Sequence, residues 1–267
     1  MLLFAVNKKE YKTFEGWHEM PLKKAVDLHT FCFTNMPGKL KLMYDTIQTA
    51  IPDDSASDKA LEDVYSSFTN EDLVKTFPKF YGGVIEVLSD CPADVIEQIG
   101  YADRTAFYKE HLQKFVFGIM NTVADFEPKH ILKFTFEDCD YYLPEAKTVL
   151  GQVRPMYDTT ALEFSESADL ILTAEELGGG KWERAANFVS ILCRPRGEKY
   201  NEQRCVERAE RFQNLTMDIV LEVFFCLSNL IVISKQSITI SFLMEQLKEQ
   251  QLLHQAELKT SDGMLQS

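Results

Sequence analysis

"DRTAFYKEHLQKFVFGIMNTV", residues 103–123, carries the clearest helical pattern in this sequence. Its apolar residues recur at intervals of three and four, the spacing that places side chains on one face of an α-helix. The members of this face are Phe107, Leu112, Phe115, Val116, Ile119 and Val123. The pattern predicts an amphipathic helix with a buried apolar face, and it favours a mainly helical fold.

Patterns on the N-terminal side of this stretch predict one strand and further helices. The apolar run Leu2–Val6 is typical of a short strand. A helix is expected to start near Pro21, because proline is well tolerated in a first helical turn, and another is expected over residues 38–50. Thr69 and Asn70 precede two acidic residues, which is typical of a helix start.

Two kinds of interruption are expected in this half of the chain. The polar segment "IPDDSASDKA", residues 51–60, is predicted to be a loop or linker. Pro78 and the pair Gly82–Gly83 are predicted to break the helix that starts after Asn70, because proline removes a backbone donor and glycine weakens helices.

Apolar and polar residues alternate on either side of an acidic turn in "ILKFTFEDCDYYL", residues 131–143. This alternation predicts a β-hairpin. We place the end of an N-terminal helical part there, residues 1–144, followed by a C-terminal helical part, 145–253, and a polar tail, 254–267. The predicted fold class is mainly α with a small hairpin, with α+β as the minor alternative, and the parts form one cooperative unit.

The C-terminal part contains several helix signals. Thr160–Glu163 and Thr173–Glu176 fit the reciprocal capping pattern of a hydroxyl followed by a carboxylate. Helices are expected over residues 181–193, before Pro195, and over 201–215. Thr216 and Asp218 are expected to cap a long apolar helix. Its apolar core, residues 219–233, is shorter than the ~20 residues that a bilayer requires, so no membrane association is expected.

Charge and cysteine usage limit the function classes. The chain has 28 basic and 41 acidic residues, a formal net charge of -13, which opposes broad binding to nucleic acid. Its six cysteines form no Cys-x-x-Cys pair and are expected to be reduced thiols. Because the N-terminus lacks the pattern of a secretory signal, the expected location is the cytoplasm.

Motifs that carry catalytic or cofactor chemistry are missing from the sequence. "LGGGKWE", residues 177–183, lacks the hydroxyl that a phosphate-binding loop places after its lysine. Its histidines and cysteines do not have zinc-ligand spacing, and no serine lies at a Gly-x-Ser-x-Gly turn. We therefore expect no catalytic residues, no metal and no cofactor. An enzyme whose groups converge from distant positions stays open as an alternative.

Positive charge is concentrated between Arg194 and Arg211, where six basic residues face four glutamates. In one interpretation the arginines have a local structural role: they bind carbonyls at helix ends and pair with neighbouring carboxylates such as that of Glu207. In the other they form a docking surface for an acidic peptide or a second copy of this chain, since guanidinium binds carboxylate through two hydrogen bonds. The predicted partner-binding residues are Arg194, Arg196, Tyr200, Arg204 and Arg208.

Three segments resemble proteins of tailed bacteriophages, particularly those that infect Bacteroidota. They are "FPKFYGGVIEVLSDCPADVIEQI", "FTFEDCDYYLPEA" and "SILCRPRGEKYNEQRCVERAERFQNLTMDIVLEVFF". The resemblance spans about residues 70–235, and its matching positions include Arg194, Pro195, Glu198, Tyr200 and Arg208. It implies a tail-assembly chaperone or a structural component of the virion. Other phage structural or tail proteins, or the chain itself, would be its partners, in the host cytoplasm or the virion.

Overall fold

The computed structural model describes residues 1–50, 55–120, 126–129, 131–144, 147–149, 152–154 and 181–225. Helices make up most of the regular structure in these ranges, and the strands pair only as short antiparallel hairpins. The predicted mainly α fold is therefore confirmed. The capping patterns at 160–163 and 173–176, the glycines 178–180 and the tail 254–267 lie outside the described residues.

The chain begins with a hairpin that packs beside two helices. Strand β1 (Leu2–Val6) confirms the predicted strand, and it pairs with β2 (Lys9–Thr13), which the sequence patterns did not reveal. The two-residue turn between them has positive φ at Asn7 and Lys8, the geometry that matches the twist of a hairpin. Helices α1 (Leu22–Asn35) and α2 (Gly38–Thr49) follow as predicted.

Helix α3 (Ser55–Ser66) corrects the loop predicted over residues 51–60. Residues 51–54 lie outside the described residues, but residues 55–60 are the first turns of this helix. Asp58 lies in the first turn, where a negative charge is favourable to the helix dipole. The polar run was mistaken for a loop because it is the exposed start of an amphipathic helix that buries Val64.

The next helix begins at Asn70 with reciprocal capping. Thr69 N donates to Asp72 Oδ2 at 2.8 Å, and Asp72 N donates to Thr69 Oγ1 at 3.1 Å. A π-helical turn, Asp72–Thr76, then runs directly into α4 (Phe77–Leu88). The predicted break at Pro78 is therefore wrong. Proline has no N–H for the helical hydrogen-bond pattern, and its ring crowds the preceding turn of the helix. The wider π-helical turn before Pro78 accommodates both effects, so the helix continues.

Gly82 and Gly83 do not break α4 either, and the reason is close packing. A Cβ at Gly83 would lie 2.2 Å from Cζ of Phe31 on α1, and a Cβ at Gly82 would lie 3.2 Å from Nη1 of Arg104. At both positions a side chain from a neighbouring helix occupies the space that a larger residue would need. This packing requires glycine there, and it outweighs the weak helix propensity of glycine.

The helix predicted over residues 103–123 is confirmed as far as Met120. After the short α5 (Ala93–Ile96), the chain forms α6 (Tyr101–Phe107), a second π-helical turn (Tyr108–Leu112) and α7 (Gln113–Met120) without a break. Its buried face follows the predicted stripe. The fully buried members include Leu112, Phe115, Val116 and Ile119.

The hairpin predicted near residues 131–143 is confirmed. Strands β3 (Lys133–Phe136) and β4 (Cys139–Tyr142) are joined by Glu137 and Asp138, both with positive φ. The inward Phe134 and Tyr141 pack against the ring of Phe212, with centroid distances of 5.9 Å and 5.0 Å. An unpredicted third hairpin, β5 (Lys147–Val149) with β6 (Gln152–Arg154), follows.

Three helices of the C-terminal part are described, and the first of them packs on α1. They are α8 (Lys181–Leu192), α9 (Glu202–Phe212) and α10, of which residues 217–225 are described. Leu22 N donates to Leu215 O at 2.7 Å, and Trp182 Nε1 donates to Ile119 O at 3.0 Å. Described residues from both sides of position 144 thus share one hydrophobic core. None of the described helices is long and apolar enough to cross a membrane.

Three tyrosines form a buried cluster between α2, α4 and the second π-helical turn. The rings of Tyr81 and Tyr108 stack with centroids 4.0 Å apart, and the hydroxyls of Tyr44 and Tyr108 are hydrogen-bonded. Burial raises the pKa of Tyr81 to about 12, and it also raises the pKa values of Tyr44 and Tyr108. The cluster is therefore held in its neutral form.

We predict that replacing Gly83 by alanine destabilises the fold by about 2 kcal/mol, because the added methyl group overlaps the ring of Phe31. Urea unfolding measures the change. Gly38→Ala is the matched control: nothing lies within 4 Å of its added Cβ, so no loss is expected. Combining Gly83→Ala with Phe31→Leu should cost less than the sum of the single changes. Simple additivity would contradict the packing explanation.

The tyrosine cluster predicts an alkaline loss of stability. Above pH 10 the unfolded chain ionises Tyr81 while the folded chain keeps its proton, so the free energy of unfolding falls as pH rises from 10 to 12. Tyr81→Phe should reduce that fall by about 2 kcal/mol. Urea unfolding at several pH values measures it. The same substitution at exposed Tyr65 should leave the fall unchanged, and an equal effect there would contradict the prediction.

Candidate functional site

The five predicted partner-binding residues occupy the loop between α8 and α9 and the helix α9 itself. Arg194, Arg196 and Tyr200 lie in the loop, and Arg204 and Arg208 lie on the helix. The loop turns at Gly197, whose φ of +80° is a conformation that glycine adopts without strain. Asn201 caps α9, because its side-chain oxygen accepts a hydrogen bond of 2.9 Å from Arg204 N.

Arg208 points inward and has a structural role. Its side chain is buried, and Nη1 donates to the carbonyls of Ser190 and Cys193 at 2.8 Å and 3.2 Å. Nη2 pairs with the carboxylate of Glu198, and the guanidinium lies 5.7 Å from the ring centroid of Tyr141. Arg208 therefore ties the C-terminal end of α8, the loop and α9 together, and a partner cannot reach it in this conformation.

Arg211 is also engaged, although not as the spacing suggested. Its guanidinium donates to Glu137 Oε2, with Nε at 2.7 Å, and so joins α9 to the turn of the β3–β4 hairpin. Glu207, its expected partner one turn away, instead accepts a hydrogen bond of 3.2 Å from Gln203. Long-range pairing replaces the local pair because the hairpin turn is brought against the end of α9.

The backbone of Arg194 continues the β3–β4 hairpin. Tyr142 N donates to Arg194 O at 2.9 Å, and Arg194 N donates to Tyr142 O at 3.3 Å, which makes an antiparallel bridge. The guanidinium of Arg196 lies over the ring of Tyr142, 5.6 Å from the ring centroid. The loop is thus fixed to the hairpin by hydrogen bonds and by a cation–π contact.

Arg196, Lys199 and Arg204 form the exposed part of this region, which we call the arginine face. Within the described residues, none of these three side chains has a carboxylate partner. Arg204 also lies in the first turn of α9, where a positive charge opposes the helix dipole. Tyr200 is half-buried beside them. The structure thus separates the buried Arg208 and the exposed but paired Arg211 from an outward basic face.

A cavity of about 480 Å³ lies between α1, α4, α5 and α6, away from the arginine face. Its floor is formed by Gly82, Gly83 and the buried guanidinium of Arg104. The first π-helical turn contributes Lys75 and Thr76 to its wall. Sequence patterns missed this site, because its residues come from separate helices and Arg104 looks like an ordinary charged residue of an amphipathic helix.

Metal-binding clusters of His, Cys, Asp or Glu are not found in the ranges that the structure describes. The five described cysteines carry thiols and form no disulfide among themselves, and four of them are buried. Burial raises the pKa of the Cys32 thiol to about 12, so this thiol is a packed apolar group and not a nucleophile.

Comparison with known proteins gives no relative. No protein-family model matches the chain, and no significant match is found among curated proteins or among solved structures. The resemblance to phage proteins stays a prediction, and the geometry of the chain itself carries the functional interpretation.

The two classes of arginine predict different effects on stability. Arg208→Met should destabilise the fold by about 3 kcal/mol, because it leaves the carboxylate of Glu198 and two carbonyls without their donor. Arg204→Met changes the net charge equally at an exposed position and should cost no more than about 0.5 kcal/mol. Urea unfolding of both variants is the measurement. Equal losses would contradict the division into inward and outward arginines.

Proposed function

We propose that this protein acts without catalysis, through protein–protein contacts in the assembly of a tailed phage particle, as a tail-assembly chaperone does. In this proposal the arginine face binds an acidic surface on another phage structural or tail protein. The resemblance of residues 70–235 to phage proteins supplies the biological setting.

The observation that carries the proposal is the set of exposed cations without carboxylate partners in the described part of the chain. Arg196, Lys199 and Arg204 have no carboxylate partner among the acidic residues that the structure describes. Unsatisfied guanidinium groups on a fixed loop and helix are suited to bidentate contact with carboxylates of a partner. Their position is well defined, because the bridge to Tyr142 and the inward Arg208 hold the loop.

The local charge is suited to acidic partners. A formal net charge of -13 repels polyanions over most of the surface, so the basic face is a local exception. Acidic proteins, including a second copy of this chain, would be attracted to this face, which favours one orientation of binding. Such contacts between exposed charges weaken as salt increases.

Exposed apolar side chains support a contact function as well. Leu73 and Val74 are adjacent in the first π-helical turn and are 51% and 62% exposed, and Phe33 on α1 is 65% exposed. Large apolar and aromatic residues at a surface are typical anchors in protein interfaces. An assembly chaperone covers apolar surface on its partner, which requires such anchors together with solubilising charge.

The proposal predicts that the double variant Arg196→Glu/Arg204→Glu loses about nine-tenths of its partner capture. Wild-type and variant chains are immobilised in lysates of phage-infected cells, and the retained tail and virion proteins are quantified by mass spectrometry. Lys41→Glu/Lys59→Glu is the matched control, since it makes the same change in net charge at exposed positions elsewhere. This control should retain full capture.

Two results would contradict the proposal. Equal losses in both double variants would mean that total charge, not the arginine face, governs capture. Retention of no tail or virion protein by the wild-type chain would remove the assembly role. The alternative of a stable virion component is separated by mass spectrometry of purified particles: a chaperone is missing from them, whereas a structural component is present in fixed copy number.

A further inference from the structure

Arg104 is a buried cation whose terminal nitrogens have no partner in the described residues. Only 6% of its surface is exposed. Its Nε donates to Ile99 O at 3.0 Å, and its guanidinium lies 5.2 Å from the ring centroid of Tyr101. Nη1 and Nη2 have neither a hydrogen-bond acceptor nor a carboxylate among the described residues, and the side chain lines the 480 Å³ cavity. Because arginine keeps its charge in proteins and these two nitrogens are not fully enclosed, they are available to an anion that enters the cavity.

Two glycines and a π-helical turn, which are all unfavourable to a regular α-helix, line the same cavity. Gly82 and Gly83 each weaken α4 relative to alanine, and both line the floor. Gly82 leaves room for Nη1 of Arg104, and Gly83 leaves room for the ring of Phe31. The π-helical turn Asp72–Thr76 forms part of the wall, and such turns are frequent at functional sites. Their convergence favours a binding site over a packing defect.

We propose that this cavity binds a carboxylate that is joined to an apolar body. The two free nitrogens of Arg104 form the planar fork that binds a carboxylate through parallel hydrogen bonds. Next to it, the cavity is lined by the apolar side chains of Phe31, Phe80 and Ile96. A ligand with one charged end and one apolar end satisfies both parts of this lining.

The charges at the mouth favour a carboxylate over a phosphate. Besides Arg104, the lining includes Lys75 and Lys79, and all three glutamates among these residues, Glu71, Glu86 and Glu97, are exposed. Three cations and three anions leave no net positive charge, so a dianionic phosphate gains little and is repelled by the carboxylates. A carboxylate needs to compensate only the one buried guanidinium.

The volume fits a small molecule or the end of a chain. About 480 Å³ is within the usual range of small-ligand sites and holds a body the size of a phenyl ring with a short linker. The same chemistry is offered by a free aromatic acid and by the C-terminal residue of a polypeptide. This proposal does not depend on the arginine face or on the assembly role.

Four matched probes test the site with the full-length chain. They are 3-phenylpropanoate, N-acetylphenylalanine, N-acetylphenylalanine amide and phenyl phosphate. Calorimetry and the rise of the melting temperature with probe concentration measure binding. We expect the carboxylates to bind with Kd values on the order of 1 mM, and the neutral amide to bind at least about tenfold more weakly.

Substitutions in the floor of the cavity test whether Arg104 binds the carboxylate. Arg104→Met should abolish carboxylate binding yet melt at or above the wild-type temperature, because it removes an unpaired buried charge. Gly82→Ala, whose added Cβ lies 3.2 Å from Nη1, should weaken binding by displacing the guanidinium. Lys59→Met, exposed on α3, is the control with the same charge change and should bind as the wild type does.

Each outcome either supports or overturns the proposal. Preference for 3-phenylpropanoate identifies a free acid as the source of the carboxylate, and equal or tighter binding of N-acetylphenylalanine identifies a chain end. Equal binding of the amide, tighter binding of phenyl phosphate, or no binding at about 10 mM probe would overturn it. If Arg104→Met fails to fold, Arg104 has a structural role, and unimpaired binding by Gly82→Ala would then overturn the proposal as well.

Discussion

The close approach of α1 to α4 at Gly83 is the packing constraint on which the N-terminal half depends. With the ring of Phe31 in the space of a missing side chain, α1 lies directly against α4, and Phe31 stacks on Phe80 at 5.6 Å between centroids. The neighbouring Gly82 lets Arg104 lie against α4 as well. The two glycines lower the helix propensity of α4, but they allow α1 and α6 to pack closely against it. The cavity lies between these three helices.

In the C-terminal half, Arg208 has the corresponding function. Its buried guanidinium satisfies carbonyls at the end of α8 and a carboxylate in the following loop, so the loop and α9 have a fixed relation. Arg208 and Arg211 have carboxylate partners among the described residues, whereas Arg196 and Arg204 have none there and face outward. The division between structural and exposed charge follows from which residues the hairpin and α8 approach.

The cavity and the arginine face are chemically different sites on one core. The cavity has one buried cation in its floor and apolar side chains beside it, which favours one small anion with a complementary body. The arginine face presents several hydrated cations, which favours an extended acidic surface and depends on salt. A chain of net charge -13 can carry both because each basic group is placed locally by packing or by hydrogen bonds.

By itself the sequence determined most of the described helices, the β3–β4 hairpin and the helix start at Thr69–Asn70, because apolar periodicity and capping residues are local properties. It failed at residues 55–60, at Pro78 and at Gly82–Gly83, where contacts with other elements or a change of helical register outweigh local preference. It also indicated a basic segment without separating Arg208 from Arg204. Only the tertiary structure decided which charges are buried, and it alone brought Arg104 to the cavity floor, because burial depends on residues that are distant in the chain.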